Sequence, residues 1–190
     1  MPNDSGESSR VALRPITVHD QDEFLELVRV SVDLHHPWMR LPTTPQEFRT
    51  YLGRFDDPLS AEGLLVCMRD TGVMAGNINI NSIIRGRFQS GSLAYAAFAP
   101  TAGQGYMSEG LGLVLRHAFD QLRLHRLEAQ IQPGNHRSLK LVQRHGFRYE
   151  GRSPELLFID GAWRDHERWA ITSTMIDDVS GDPHPSLPEY

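Results

Sequence analysis

Two short stretches hold the residue types that could grip and activate a ligand: "PTAGQGYMSEGL" over 100–111 and "GNHRSLKLVQRHGF" over 134–147. In the first, Gly103 and Gly105 stand directly ahead of an amphipathic run. A glycine turn that opens a helix leaves the N–H groups of the first turn without helical partners, and such groups suit an anion. In the second, Asn135 is a residue type that opens helices and Ser138 follows one turn later, with Lys140 and Arg144 at i and i+4, able to meet one anionic group. Taken alone, the glycine stretch is equally well a strand-to-helix turn that binds nothing. Taken together, two helix openings suit a ligand that is long, phosphorylated at one end and reactive at the other.

Other glycine-loop chemistries fail on spacing. A nucleotide-hydrolysing loop needs G-x-x-x-x-G-K-S/T, and no lysine follows either glycine. A dinucleotide fold puts G-x-G-x-x-G after the first strand of a βαβ unit, whereas this turn comes late and lacks the third glycine. The nine histidines show no H-E-x-x-H or similar ligand spacing, so no metal is expected. A formal net charge of −5 argues against a nucleic-acid partner. No apolar run approaches the roughly 18 residues that span a bilayer, so no membrane partner is expected. The single cysteine, Cys67 within "LLVCM", fits an inert buried thiol in a reducing, cytoplasmic setting.

The elements that must position these residues follow from pattern. Residues 10–176 read as a single domain between polar tails at 1–9 and 177–190, both expected to be mobile. "VALRP" reads as a first strand. Thr17 with Asp20, then Thr44 with Glu47 and Pro45, mark two helix starts, the second helix running to about Arg54. "GLLVCMRD", "VMAGNINI" and "SLAYAAF" read as an antiparallel meander. Leu111, Val114, Leu115, Ala118, Phe119 and Leu122 share one helical face. "RLEAQIQ" reads as a strand, and a helix from Asn135 to about His145 can end on a left-handed Gly146. Asp160-Gly161 signals a closing hairpin, whose edge is one on which a homodimer can form. The sum is a three-layer α/β/α domain with a central mixed, mostly antiparallel sheet.

"GQGYMSEGL" with "NHRSLKLVQRHGF" resembles the acetyl-CoA site of the GNAT N-acetyltransferase superfamily, whose glycine turn reads Gln/Arg-x-x-Gly-x-Gly/Ala and whose next helix opens with N-x-x-S. The stretch from Gly76 to Ile171, through "GNINI", "LAYAAF", "HRLEA" and "DGAWRDH", resembles most the RimJ/RimL-type enzymes that acetylate N-terminal amines of ribosomal proteins. Two departures stand out: Ala102 occupies the Gln/Arg position and Met107 the Gly/Ala position. Both bear on affinity for acetyl-CoA more than on its binding as such, because backbone amides carry most of the diphosphate contact.

The resemblance implies roles for particular residues. Backbone amides of Ala97, Phe98 and Ala99 would meet the pantetheine and the thioester, where a donor to the developing oxyanion is commonly worth about 3 kcal/mol. Gly103, Gln104, Gly105, Tyr106, Met107 and Ser108 would offer N–H groups to the diphosphate, with Lys140 nearby, and Asn135 would bond the pantetheine arm. Ser138 matches the serine that protonates the departing thiolate, whose ordinary pKa is about 8.5; it is otherwise a locally bonded helix hydroxyl. The glutamate that serves as base in RimL-like relatives is replaced by Leu157. Glu155, on the same strand face by period two, is the candidate substitute, or else a solvated or salt-bridged surface acid, with Glu128 and Asp165 in reserve. A weak base suits one acceptor class: an α-amine of pKa about 7.8 is roughly a third neutral at pH 7.5, while a lysine of about 10.4 is roughly 0.1% neutral, a gap of about 3.5 kcal/mol. Trp38 would line the acceptor groove, or else pack in the core, and Arg85 would flank the groove. The implied activity is transfer from acetyl-CoA to a protein or peptide N-terminus. The alternatives are a small amine (polyamine, aminoglycoside or amino acid) as acceptor, or a coenzyme A-binding regulatory protein.

Overall fold

The computed structural model describes residues 9–180, so most of the two expected tails lies outside the described residues. Seven strands form one sheet in the order β1-β2-β3-β4-β5-β7-β6. They are β1 (Val11–Pro15), β2 (Glu62–Met68), β3 (Met74–Ile84), β4 (Ser90–Ala97), β5 (Arg126–Ile131), β6 (Arg148–Ile159) and β7 (Ala162–Thr172). Every neighbouring pair is antiparallel except β4 and β5, which are parallel. The expected meander, mixed sheet and closing hairpin are all present. Asp160 and Gly161 both take positive φ, 54° and 77°, as a two-residue hairpin turn of the primed type requires.

Helices cover both faces. On one lie α1 (Gln21–Val30), α2 (Val32–His35) and α3 (Pro45–Leu52); on the other lie α4 (Tyr106–Arg116) and α5 (His136–Arg144); α6 (Ser173–Ser180) follows the last strand. β2 is buried on both faces and serves both layers: Leu64 and Val66 pack with Leu111, Val114 and Leu115 of α4, while Leu65 and Cys67 pack with Phe24 of α1 and Phe48 and Tyr51 of α3. Burial pushes the Cys67 thiol up, away from reactivity.

The capping signals work nearly as read. The Asp20 carboxylate takes the Thr17 N–H at 2.7 Å, closing a single 3-10 turn ahead of α1. Thr44 accepts from Glu47 N, but the Glu47 carboxylate reaches Thr43 N–H at 2.8 Å, one residue further back than a capping box. Three features were not expected. "VDLH" forms the short α2, α4 widens into a π turn over His117–Gln121 before reaching Leu122, and α6 runs through the expected domain end.

Gly76 of β3 lies beneath the start of α4. A Cβ there would collide with Ala96 O and Met107 Sδ, and the first of these is backbone that cannot swing aside. Gly76→Ala is therefore expected to cost about 3 kcal/mol, the upper end for overpacking, read as a lowered urea midpoint.

Candidate active site

β4 ends at Ala97, a single 3-10 turn over Ala99–Thr101 follows, and the chain then enters the glycine turn. Gly103 and Gly105 have φ of 79° and 89°, and Gly105 is the residue at which α4 starts. Alternate left-handed residues tilt successive N–H groups toward one concave side. Among the described residues, the N–H groups of Gly103, Gln104, Gly105, Tyr106 and Met107 donate to no protein acceptor. Ser108 differs from the expectation: its N–H is committed to Gly105 O at 3.0 Å. The turn is braced from behind by Arg10, which donates to Gln104 O at 3.0 Å and to Glu109 Oε1 at 2.6 Å and lies over the Tyr106 ring at 4.6 Å. Burial alone would push the Glu109 carboxyl up; Arg10 outweighs it and holds the carboxyl below its ordinary range.

The turn opens into a cavity of about 940 Å³, whose far wall is α5. Arg137, Lys140 and Arg144 line it, and Asp33 is the one carboxylate among the lining residues, so the cavity is cationic in a chain of net charge −5. Asn135 Oδ1 accepts from Ser138 N at 3.2 Å, capping α5 and leaving the carboxamide NH2 for a ligand. The floor is the parting of two strands. β4 pairs with β5 only from Ser90 to Leu93, so its last residues have no neighbour on that side. Here the expected set of three amides is corrected. Phe98 N–H is committed to Ala75 O at 2.9 Å, its ring is buried, and Ala99 N–H goes to Ser31 Oγ at 2.8 Å. By the alternation of an antiparallel ladder, Ala97 directs its N–H and C=O away from β3 and into the gap.

At this end the cavity holds groups that move protons. Ser138 Oγ is 2.6 Å from the Tyr95 hydroxyl. Burial, opposed by that hydrogen bond, leaves the Tyr95 pKa pushed up to about 12. His35, from α2, places Nε2 at 2.8 Å from Ala97 O. Trp38 lines the cavity and lies against Gly134, where a Cβ would be 3.1 Å from its Cη2, and Gln132 Nε2 donates to Trp38 O at 3.1 Å. Tyr95 and His35 were not singled out in the sequence. "SLAYAAF" offers Tyr95 only as one member of a strand, and "HHPW" drew attention to its tryptophan.

Two expected residues are elsewhere. Arg85 donates to Leu122 O at 2.5 Å, tying β3 to the end of the long helix, and does not line the cavity. Glu155 is exposed on β6 with a φ of 49°, inside a bulge between Ser153 and Leu157, so the period-two argument that put it beside Leu157 does not carry through. Its own N–H is held by Asp165 Oδ1 at 2.9 Å. The reserves are engaged with arginines: Glu128 with Arg126 at 2.7 Å and Asp165 with Arg152 at 2.7 Å. Removing a working base costs a hundredfold or more, so Glu155→Gln, expected to stay within about twofold of wild-type kcat/KM, measures whether this carboxylate takes part.

Comparison with known proteins agrees with this geometry. Residues 10–148 match the family model of the acetyltransferase (GNAT) domain. The "Probable N-acetyltransferase YjcK" of Bacillus subtilis is 28% identical over 170 residues, covering 85% of this chain and 93% of that protein. The ribosomal protein uS5-alanine N-acetyltransferase of Escherichia coli is 36% identical over 104 residues, 55% of this chain and 54% of that protein. Among solved structures, Mycobacterium smegmatis RimJ in complex with CoA-disulfide superposes with a TM-score of 0.81 at 24% identity, covering 90% of this chain and 89% of that one. The matched span takes in β1, the glycine turn and all of α5, and the chain belongs to the GNAT family of N-acetyltransferases, whose acetyl donor is acetyl-CoA.

Proposed function

We propose that this chain acetylates the N-terminal α-amine of a protein or peptide by direct transfer from acetyl-CoA, in the cytoplasm, with a ribosomal protein as the acceptor its relatives suggest. The observation that carries the proposal is one continuous cavity that brings two kinds of chemistry together. Five uncommitted amides and three cations suited to an anion share it with an imidazole and a hydroxyl pair suited to proton transfer. That arrangement fits coenzyme A: the amides of Gly103–Met107 take the diphosphate, Arg137, Lys140 and Arg144 balance its charge, and the Asn135 NH2 meets the pantetheine arm. When bound, acetyl-CoA supplies an activated acetyl group as a thioester. The Ala97 N–H, aimed into the gap between β4 and β5, stabilises negative charge on the thioester oxygen, and Ser138 protonates the departing sulfur.

The choice of an α-amine over a polyamine rests on charge. A polyamine calls for several carboxylates, whereas Asp33 is the one carboxylate lining the cavity, against Arg137, Lys140 and Arg144. Trp38 gives the cavity an apolar wall suited to a peptide's first side chain. The test is thioester consumption against peptides beginning with alanine or serine, spermidine, an aminoglycoside and free amino acids. Turnover with the peptides is expected. Turnover confined to the small amines would replace the acceptor assignment, and tight coenzyme A binding without turnover on any amine would favour a regulatory role.

A further inference from the structure

Acetylation needs somewhere for the amine's proton to go, and the expected carboxylate is outside the cavity. We propose that His35 is the catalytic base, its Nδ1 taking the proton that the acceptor nitrogen loses. The inference rests on the acetyl-transfer reading above and deepens it.

Tautomer comes first. Nε2 of His35 is 2.8 Å from the Ala97 carbonyl oxygen, which can only accept, so Nε2 carries the hydrogen and Nδ1 carries the lone pair whenever the ring is neutral. Position comes second. His35 is 7% exposed, it lines the cavity together with Trp38, Tyr95 and Ser138, and Nδ1 has no protein partner among the described residues yet is not closed off from solvent. The carbonyl it holds belongs to Ala97, the residue whose N–H faces the thioester, so the imidazole borders the reacting centre. Protonation state comes third. Burial, partly opposed by the Ala97 carbonyl, lowers the His35 pKa, so the ring is neutral and able to accept at pH 7. The ionisable groups that share the cavity are Asp33 on its own helix, Tyr95 on β4, Tyr106 on α4, and His136, Arg137, Lys140 and Arg144 on α5; no charged group contributes to the shift.

The step balances. A bond forms between the acceptor nitrogen and the acetyl carbon, and the carbon–sulfur bond breaks. The nitrogen's proton passes to Nδ1 and on to solvent, and the sulfur leaves as a thiolate that takes a proton from Ser138, whose hydroxyl regains one from solvent. Amine and thioester become amide and thiol, and the enzyme is unchanged.

A purely structural histidine would be served by glutamine, whose NH2 can still donate to Ala97 O. The experiment therefore compares wild type, His35→Gln and His35→Ala, with coenzyme A binding by calorimetry as the control for an intact cavity. At pH 7 both variants should lose at least about a hundredfold in kcat. Wild-type kcat at saturating substrates should fall on the acid side of pH 6.5, as the neutral base is lost, and this limb should be absent from His35→Gln. A glutamine variant within about threefold of wild type, or one that keeps the acid limb, overturns the proposal, since loss of a base exceeds that. His35→Asn supplies the same comparison if glutamine disturbs α2. A wild type that consumes no thioester with any amine overturns the acetyl-transfer reading and this proposal with it; an active wild type with an unimpaired His35→Gln overturns this proposal alone.

Discussion

Gly105→Val should raise the dissociation constant for coenzyme A by at least about a hundredfold, close to 2.7 kcal/mol. Gly105 has a φ of 89°, a region that β-branched residues essentially do not enter. A Cβ there would also stand 3.1 Å from Arg10 Nη2, which is pinned by Gln104 O and Glu109 and cannot retreat without releasing the brace. The turn must rearrange, and rearrangement swings the N–H groups of 103–107 off their common concave side. Gly103→Ala is the contrast. Its φ of 79° is also left-handed, but a Cβ there meets nothing within 4 Å, so only the conformational cost of about 1 kcal/mol applies and binding should weaken several-fold. Isothermal titration of both variants decides the matter: equal, wild-type affinity in the two would remove the glycine turn from ligand binding.

Ser138→Ala should lower kcat at least tenfold with little change in coenzyme A affinity. The serine's backbone N–H stays capped by Asn135, so α5 keeps its start, and only the hydroxyl is lost. The 2.6 Å contact with Tyr95 gives that hydroxyl a direction. Tyr95, with a pKa pushed up to about 12, stays protonated at pH 7 and so can donate to Ser138 Oγ, an arrangement that leaves the serine hydrogen free to point at the sulfur. Tyr95→Phe should therefore slow the same step by a smaller factor, and the double variant should be no slower than Ser138→Ala, because the two act as one unit. Single-turnover release of thiol is the measurement. Unchanged rates in Ser138→Ala would take both hydroxyls out of the reaction.

How much of this was legible in the chain depended on whether a feature is local. Asp160-Gly161, Gly146 and Thr44 encode turns through their own backbone preferences, and the structure uses each of them as a turn or cap. α2 escaped notice because four residues show no period. The glycine turn was legible as a source of amides, but whether an amide is available is a tertiary fact: Phe98 loses its N–H to Ala75 on β3, Ala99 to Ser31 at the end of α1. Glu155 misled because alternation assumes an unbroken pleat, and β6 bulges at that point. Tyr95 and His35 were invisible for a related reason, since their chemistry comes from partners more than 40 residues away, Ser138 and Ala97.

Arg10 adds a polar tie between the glycine turn and β1, whose Val11 already packs in one core with α4. It immediately precedes β1, an outermost strand of the sheet, and its side chain supports the turn where the diphosphate rests. Filling the anion site therefore anchors the sheet's first border, so coenzyme A should slow amide deuteration across Val11–Pro15 although it touches none of them.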